Sequence, residues 1–92
     1  MAFDPSARLT RASSIIATEV DGEMVLMSIE DGKYFGLDPI GSEIWRRLEE
    51  PRSADALAAE LKDHFDGDPA TIERETLAFL EKLVETGLIA AG

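Results

Sequence analysis

Two Asp-Gly pairs, Asp21-Gly22 and Asp31-Gly32, stand ten residues apart, and each lies between two runs of strand-forming residues. The runs are SIIATEV (14–20), EMVLMSIE (23–30) and KYFGL (33–37). A two-residue type I′ turn needs φ > 0 at both central positions, so Asp-Gly flanked by such runs is the strongest local hairpin signal. Two of them in series predict a three-stranded antiparallel meander. Its middle strand is 23–30. Its first and third strands are edges unless something else pairs with them.

Two-residue turns would fix the register. Val20 is then expected opposite Glu23, and Glu30 opposite Lys33. One face would carry Ile15, Ala17, Met24, Leu26, Phe35 and Leu37. The other would carry Ile16, Thr18, Val25, Met27, Ile29 and Tyr34. Neither face is polar, whereas a sheet with one solvated face alternates more cleanly. One face is therefore expected on helices. The other is expected to be partly covered by the N-terminal segment or kept for a partner. Residues 1–12 hold Pro5 and two arginines without a clear period, and read as a flexible arm ahead of a single domain over 13–92.

Helices account for the remainder. Asp38-Pro39 is an N-cap with proline at the first helical position, followed by Ile40, Ile44, Trp45 and Leu48 at helical spacing, with Pro51 as the stop. Ser53 can cap a second helix with an apolar face of Leu57, Ala58, Leu61 and Phe65, closed by Gly67. Asp68-Pro69 repeats the cap device. Ile72, Thr76, Leu77, Leu80, Leu83 and Val84 stripe a third helix that ends at Gly87. Phe79 sits off the centre of that stripe, at the shoulder of its helix. Leu88 and Ile89 are expected to fold back on the core.

Chemistry is scarce. The 92 residues include no cysteine and a single histidine, His64, so a metal set of the usual kind cannot be assembled. The serines include no Gly-x-Ser-x-Gly elbow, and the glycines make no phosphate loop. Acidic residues such as Glu60, Glu73, Glu81 and Glu85 read as solvated helix faces. Gly36, inside a strand pattern, marks either a bulge or a close backbone approach by a partner. The expectation is a protein without catalytic residues, cofactor or metal. Its net charge of −10 repels phosphate backbones and anionic lipid, so neither nucleic acid nor membrane is an expected partner. No apolar run reaches the roughly 20 residues of a membrane span, and MAFDPSARLTRASS lacks the apolar core of a secretory signal, so a cytoplasmic location is the default.

The ordered set of segments resembles the PqqD-like proteins, the recognition elements that bind precursor peptides of ribosomally made, modified natural products. The resemblance covers about residues 13–90. It rests on the Asp-Gly turn before KYFGLD, on GLDPIGSEIWRRLEE, on SADALAAELKDHF and on DPATIERETLAFLEKLVETGLI. The family pattern of an aromatic, a leucine, Asn or Asp, and then Gly ahead of an Ile-Trp helix is met by Tyr34 or Phe35, Leu37, Asp38, Gly41, Ile44 and Trp45.

The resemblance implies an α+β, winged-helix-like fold, with a three-stranded antiparallel sheet followed by three helices. It implies a non-catalytic peptide chaperone that takes a precursor's leader as an added strand beside KYFGL, with leader side chains entering a groove against the third helix. The peptide-binding residues implied are Lys33, Tyr34, Phe35, Gly36, Leu37 and Asp38 on the strand side, and Ile72, Thr76, Phe79 and Leu83 on the helix side. The stretch YFGLDPIGSEIW is most similar to the stand-alone lasso peptide proteins, which hold the leader for a leader peptidase and other maturation enzymes. The alternatives are a PqqD-type partner of a radical S-adenosylmethionine enzyme, a winged-helix DNA-binding regulator, and a structural subunit of a larger enzyme. Whether the chain forms a homodimer stays open.

Overall fold

The computed structural model describes residues 3–91. Six strands and three helices follow in the order β1 (Arg8–Arg11), β2 (Ile15–Val20), β3 (Glu23–Ser28), β4 (Lys33–Gly36), α1 (Pro39–Arg47), β5 (Arg52–Ser53), α2 (Ala54–His64), α3 (Pro69–Glu85) and β6 (Ile89–Ala91). The expected meander is the sheet β2-β3-β4, antiparallel throughout. The first hairpin turns as its residues demand: Asp21 and Gly22 both have positive φ, 52° and 85°, and Val20 pairs with Glu23.

The second hairpin corrects the expected register. Lys33 pairs with Ser28, not with Glu30, and the chain turns through the four residues Ile29–Gly32. Asp31 does not join Gly32 at positive φ, and its amide and carboxylate instead contact the Ser28 hydroxyl. The displacement is two residues along β3. Side chains in a strand alternate with a period of two, so each residue of β4 keeps its expected face.

The second correction concerns the N-terminal segment. Residues 1 and 2 lie outside the described residues, but Arg8–Arg11, expected in a flexible arm, is a strand. It is the centre of a second sheet, β5-β1-β6, opposite Arg52–Ser53 on one side and Ile89–Ala91 on the other. Leu9 is fully buried and Phe3 joins the same core. Fully burying a leucine is worth about 1.5–3 kcal/mol, enough to hold a short strand whose partners are already in place. Leu88 and Ile89 fold back onto the core as expected.

The helices begin at their expected caps. The side chains of Asp38, Ser53 and Asp68 accept from the amides of Gly41, Ala56 and Thr71, and proline stands in the first turn of α1 and α3. The core joins Leu26 of the meander, Ile44, Trp45 and Leu48 from α1 and its C-cap, Leu57 and Leu61 of α2, Leu80 of α3, and Leu9. The inner face of the meander packs towards α1 and this core, with Ile15, Met24 and Phe35 half-buried against it. The outer face stays open. Ile16, Val20 and Tyr34 are 50%, 52% and 72% exposed, and the N-terminal segment, being in the other sheet, does not cover them.

Candidate functional site

The third meander strand, β4, is an open edge: among the described residues its one partner in the sheet is β3. Which main-chain groups it offers follows from one hydrogen bond. The Leu37 amide donates to the Met24 carbonyl at 2.9 Å, so Leu37, Phe35 and Lys33 turn their main-chain groups towards β3. Tyr34 and Gly36 turn theirs outwards. The ladder runs through Gly36 without a bulge, with Gly36 opposite Val25. A Cβ built on Gly36 would meet nothing within 4 Å. The bulge reading of that glycine is therefore excluded.

Beside this edge lies a cleft of about 280 Å³ between β4 and α3. Phe35, Gly36 and Leu37 form one side, Phe79, Lys82 and Leu83 the other, and Thr86 and Leu88 close it. A second cleft of about 260 Å³ continues past Phe79, lined by Asp38, Ile40, Gly41, Glu75 and Ala78. Phe79 borders both, so the two form one groove with the ring as its partition. Gly41 makes room for that ring, because a Cβ on Gly41 would stand 2.9 Å from Phe79 Cζ. Phe79 is thus seated on α1 as well as on its own helix.

Ser42 fixes the far end of the edge. The Met24 amide donates to Ser42 Oγ at 2.8 Å, and Ser42 Oγ donates to the Leu37 carbonyl at 3.3 Å. The fully buried hydroxyl stands where the ladder would close directly, and it bolts β3 and β4 to the first turn of α1. Nothing in the sequence pattern singled out this serine.

The structure brings together part of the expected residue set. Phe35, Gly36, Leu37, Phe79 and Leu83 line the groove, and Asp38 stands at its second compartment. Ile72 and Thr76 do not line it. They are 5% and 0% exposed because the stripe they share with Leu80 faces the core, and the Thr76 hydroxyl has no partner among the described residues. Tyr34 points to the outer face of the sheet, since it alternates with Phe35. Its main chain, not its ring, borders the groove edge. Lys33 shares the face of Phe35. The lining residues the pattern missed are Lys82, Thr86 and Leu88 in the first compartment and Ile40, Gly41, Glu75 and Ala78 in the second. A helical wheel locates the apolar stripe of α3 but not the strand that its shoulder faces.

Among the described residues no helix is long and apolar enough to cross a membrane. His64 is half-exposed near the end of α2, with its ring edge-on to Phe65 at 4.8 Å.

Comparison with known proteins bears on the same region. The family model for coenzyme PQQ synthesis protein D (PqqD) matches residues 23–89, from the start of β3 to β6. Among solved structures the chain is similar to TbiB1 in complex with the TbiA(beta) leader peptide. That match has 31% identity and a TM-score of 0.77, over 87% of this chain and 93% of that one. It is also similar to a lasso peptide synthetase B1 complexed with the leader peptide, with 25% identity and a TM-score of 0.77, over 90% of this chain and 98% of that one. No curated protein sequence matches it significantly.

Proposed function

The chain belongs to the PqqD family, and on that premise we propose that it is a non-catalytic leader-peptide-binding protein of lasso peptide maturation. The leader of a ribosomally made precursor adds as a strand to β4, and its apolar side chains seat in the groove walled by Phe79 and Leu83. The protein then presents the leader, in the cytoplasm, to a leader peptidase or another maturation enzyme. The observation that carries this reading is the coincidence of an open strand edge with an apolar groove along the same strand. An open edge supplies generic main-chain bonding, and the pockets beside it supply the choice of sequence.

Hydrogen exchange tests it, with titration calorimetry of a synthetic leader alongside. The leader is expected to bind with a Kd of about 1 μM or below, about −8 kcal/mol or better. The Tyr34 and Gly36 amides, which face outwards, should gain protection on binding. Those of Phe35 and Leu37, already bonded to β3, should change less. Protection confined to the helices would rule out strand addition. A precursor cleaved or modified by the purified protein alone, seen by mass spectrometry, would rule out the non-catalytic role.

A further inference from the structure

We infer that the groove is electrically polarised along its length and selects a peptide with an acidic residue at one end of its docked stretch and a basic residue at the other. This deepens the leader-binding reading and rests on it. The Phe35 compartment is bordered by residues 79–88 and the Asp38 compartment by residues 75–79, so α3 runs antiparallel to β4 along the groove. The one charged residue lining the first compartment is Lys82. The charged residues lining the second are Asp38 and Glu75. Lys33 lies two residues before Phe35 on the same strand face, at the Lys82 end.

The placement of these lysines carries the argument. The chain has 19 acidic and 9 basic residues, so carboxylates for pairing are in surplus. Arg46, Arg47, Arg52 and Lys62 each form an ion pair. Lys33 and Lys82 form none among the described residues, and neither do Arg8, Arg11 and Arg74, but of these five only Lys82 lines the groove and only Lys33 stands on its strand. Two unpaired cations at one end of an apolar groove, and two carboxylates at the other, complement a strand of the opposite polarity. Seven helical residues separate Lys82 from Glu75, about 10 Å at 1.5 Å each, or about three residues of an extended strand. Side chains on one face recur every second residue. The acidic and basic positions of the guest are therefore four residues apart, the same-face spacing that leaves an apolar side chain against Phe79 between them.

A displayed library of random 16-residue peptides, selected on the purified chain, tests this without knowledge of the natural precursor. Peptides enriched on the unaltered protein should carry Asp or Glu at one position and Lys or Arg four residues away. The double variant Lys33→Glu/Lys82→Glu should enrich Lys or Arg at the first position instead. It should also bind the best original peptide about tenfold more weakly, the scale expected when rim charges turn from attraction to repulsion. Glu75→Lys should erase the basic preference and leave the acidic one. Lys33, Glu75 and Lys82 are exposed, and matched melting curves would verify folding. Peptides that bind and protect the Tyr34 and Gly36 amides, but carry no charge pattern or ignore the reversal, overturn this inference and leave leader binding standing. Peptides that bind without protecting those amides, or no enrichment at all, overturn strand addition itself and the polarity with it.

Discussion

The meander has two open edges, and they differ in what lies beside them. On β2 the main-chain groups of Ile15, Ala17 and Glu19 face outwards, because the Ile29 amide donates to the Ser14 carbonyl and sets the alternation along β2 and β3. On β4 those of Tyr34 and Gly36 do. The β2 edge is the longer, six residues against four. By main-chain capacity alone it would be the better docking strand. Yet Ile16 to Val20 are exposed, and beside them stands the ion pair of Glu19 with Arg46, closed at 2.6 Å. The β4 edge runs along an apolar groove roofed by α3. An unpaired edge is a generic offer of hydrogen bonds, and the apolar wall next to it turns the offer into recognition.

Proline breaks the comparison most sharply, since it removes an amide donor and is tolerated on an edge where that amide faces solvent. Tyr34→Pro is expected to weaken leader binding by about 2–4 kcal/mol, combining one lost main-chain bond with a partner carbonyl left unsatisfied. Tyr34→Ala should cost little, because the ring points to the other face. Ala17→Pro, the matching change on β2, should leave the affinity unchanged in the same titration. A loss with Ala17→Pro equal to that with Tyr34→Pro would assign the guest to the wrong edge.

The wall comes next. Phe79→Ala should weaken binding by about 1–3 kcal/mol, the range of a partly buried aromatic anchor, with only a slight fall in the thermal midpoint. Ile16→Ala on the β2 side should do nothing to affinity. If the loss with Phe79→Ala does not exceed the loss of folding stability, Phe79 belongs to the core and the groove lies elsewhere.

Ser42→Ala probes the bolt between the β4 edge and α1. It leaves the Met24 amide and the Leu37 carbonyl without their bridge, at about 1–3 kcal/mol of stability by chemical denaturation. Saturating leader should recover part of that, because a ligand that binds only the folded state stabilises it. The smallest effect is that of salt. Raising sodium chloride from 0.05 to 0.5 M should weaken leader binding by less than about fivefold, since rim pairs are worth about 0–1 kcal/mol each. A DNA-binding domain would lose several orders of magnitude over that range. Its third helix would also have to approach phosphate with Glu73, Glu75 and Glu85 exposed.

What was legible in the chain was local. Asp21-Gly22 supplies its own turn, and the caps at Asp38, Ser53 and Asp68 act within three residues of themselves, so hairpin and helices follow from short stretches. Asp31-Gly32 misled because the Ser28 hydroxyl competes for Asp31 and opens a four-residue loop. The faces survived only because the slip was even. The strand at Arg8–Arg11 has no local signal, since its partners come from residues 52–53 and 89–91. In the groove, periodicity located Phe79 at the shoulder of its helix but also enlisted Ile72 and Thr76. Apolar or small residues at helical spacing announce burial without naming what they are buried against.

That second sheet also governs when the molecule can become complete. The meander closes through loops of two and four residues, contacts a growing chain can make as soon as residues 14–37 are available. Leu9 must instead wait for Ala91, more than eighty residues later, to complete its pairing, and the core that Leu9 enters stays unsealed until then. Contacts between such distant residues are costly to close and slow to form. During synthesis the open β4 edge therefore belongs to the early part of the molecule, and the strand that seals the core follows more than fifty residues after it.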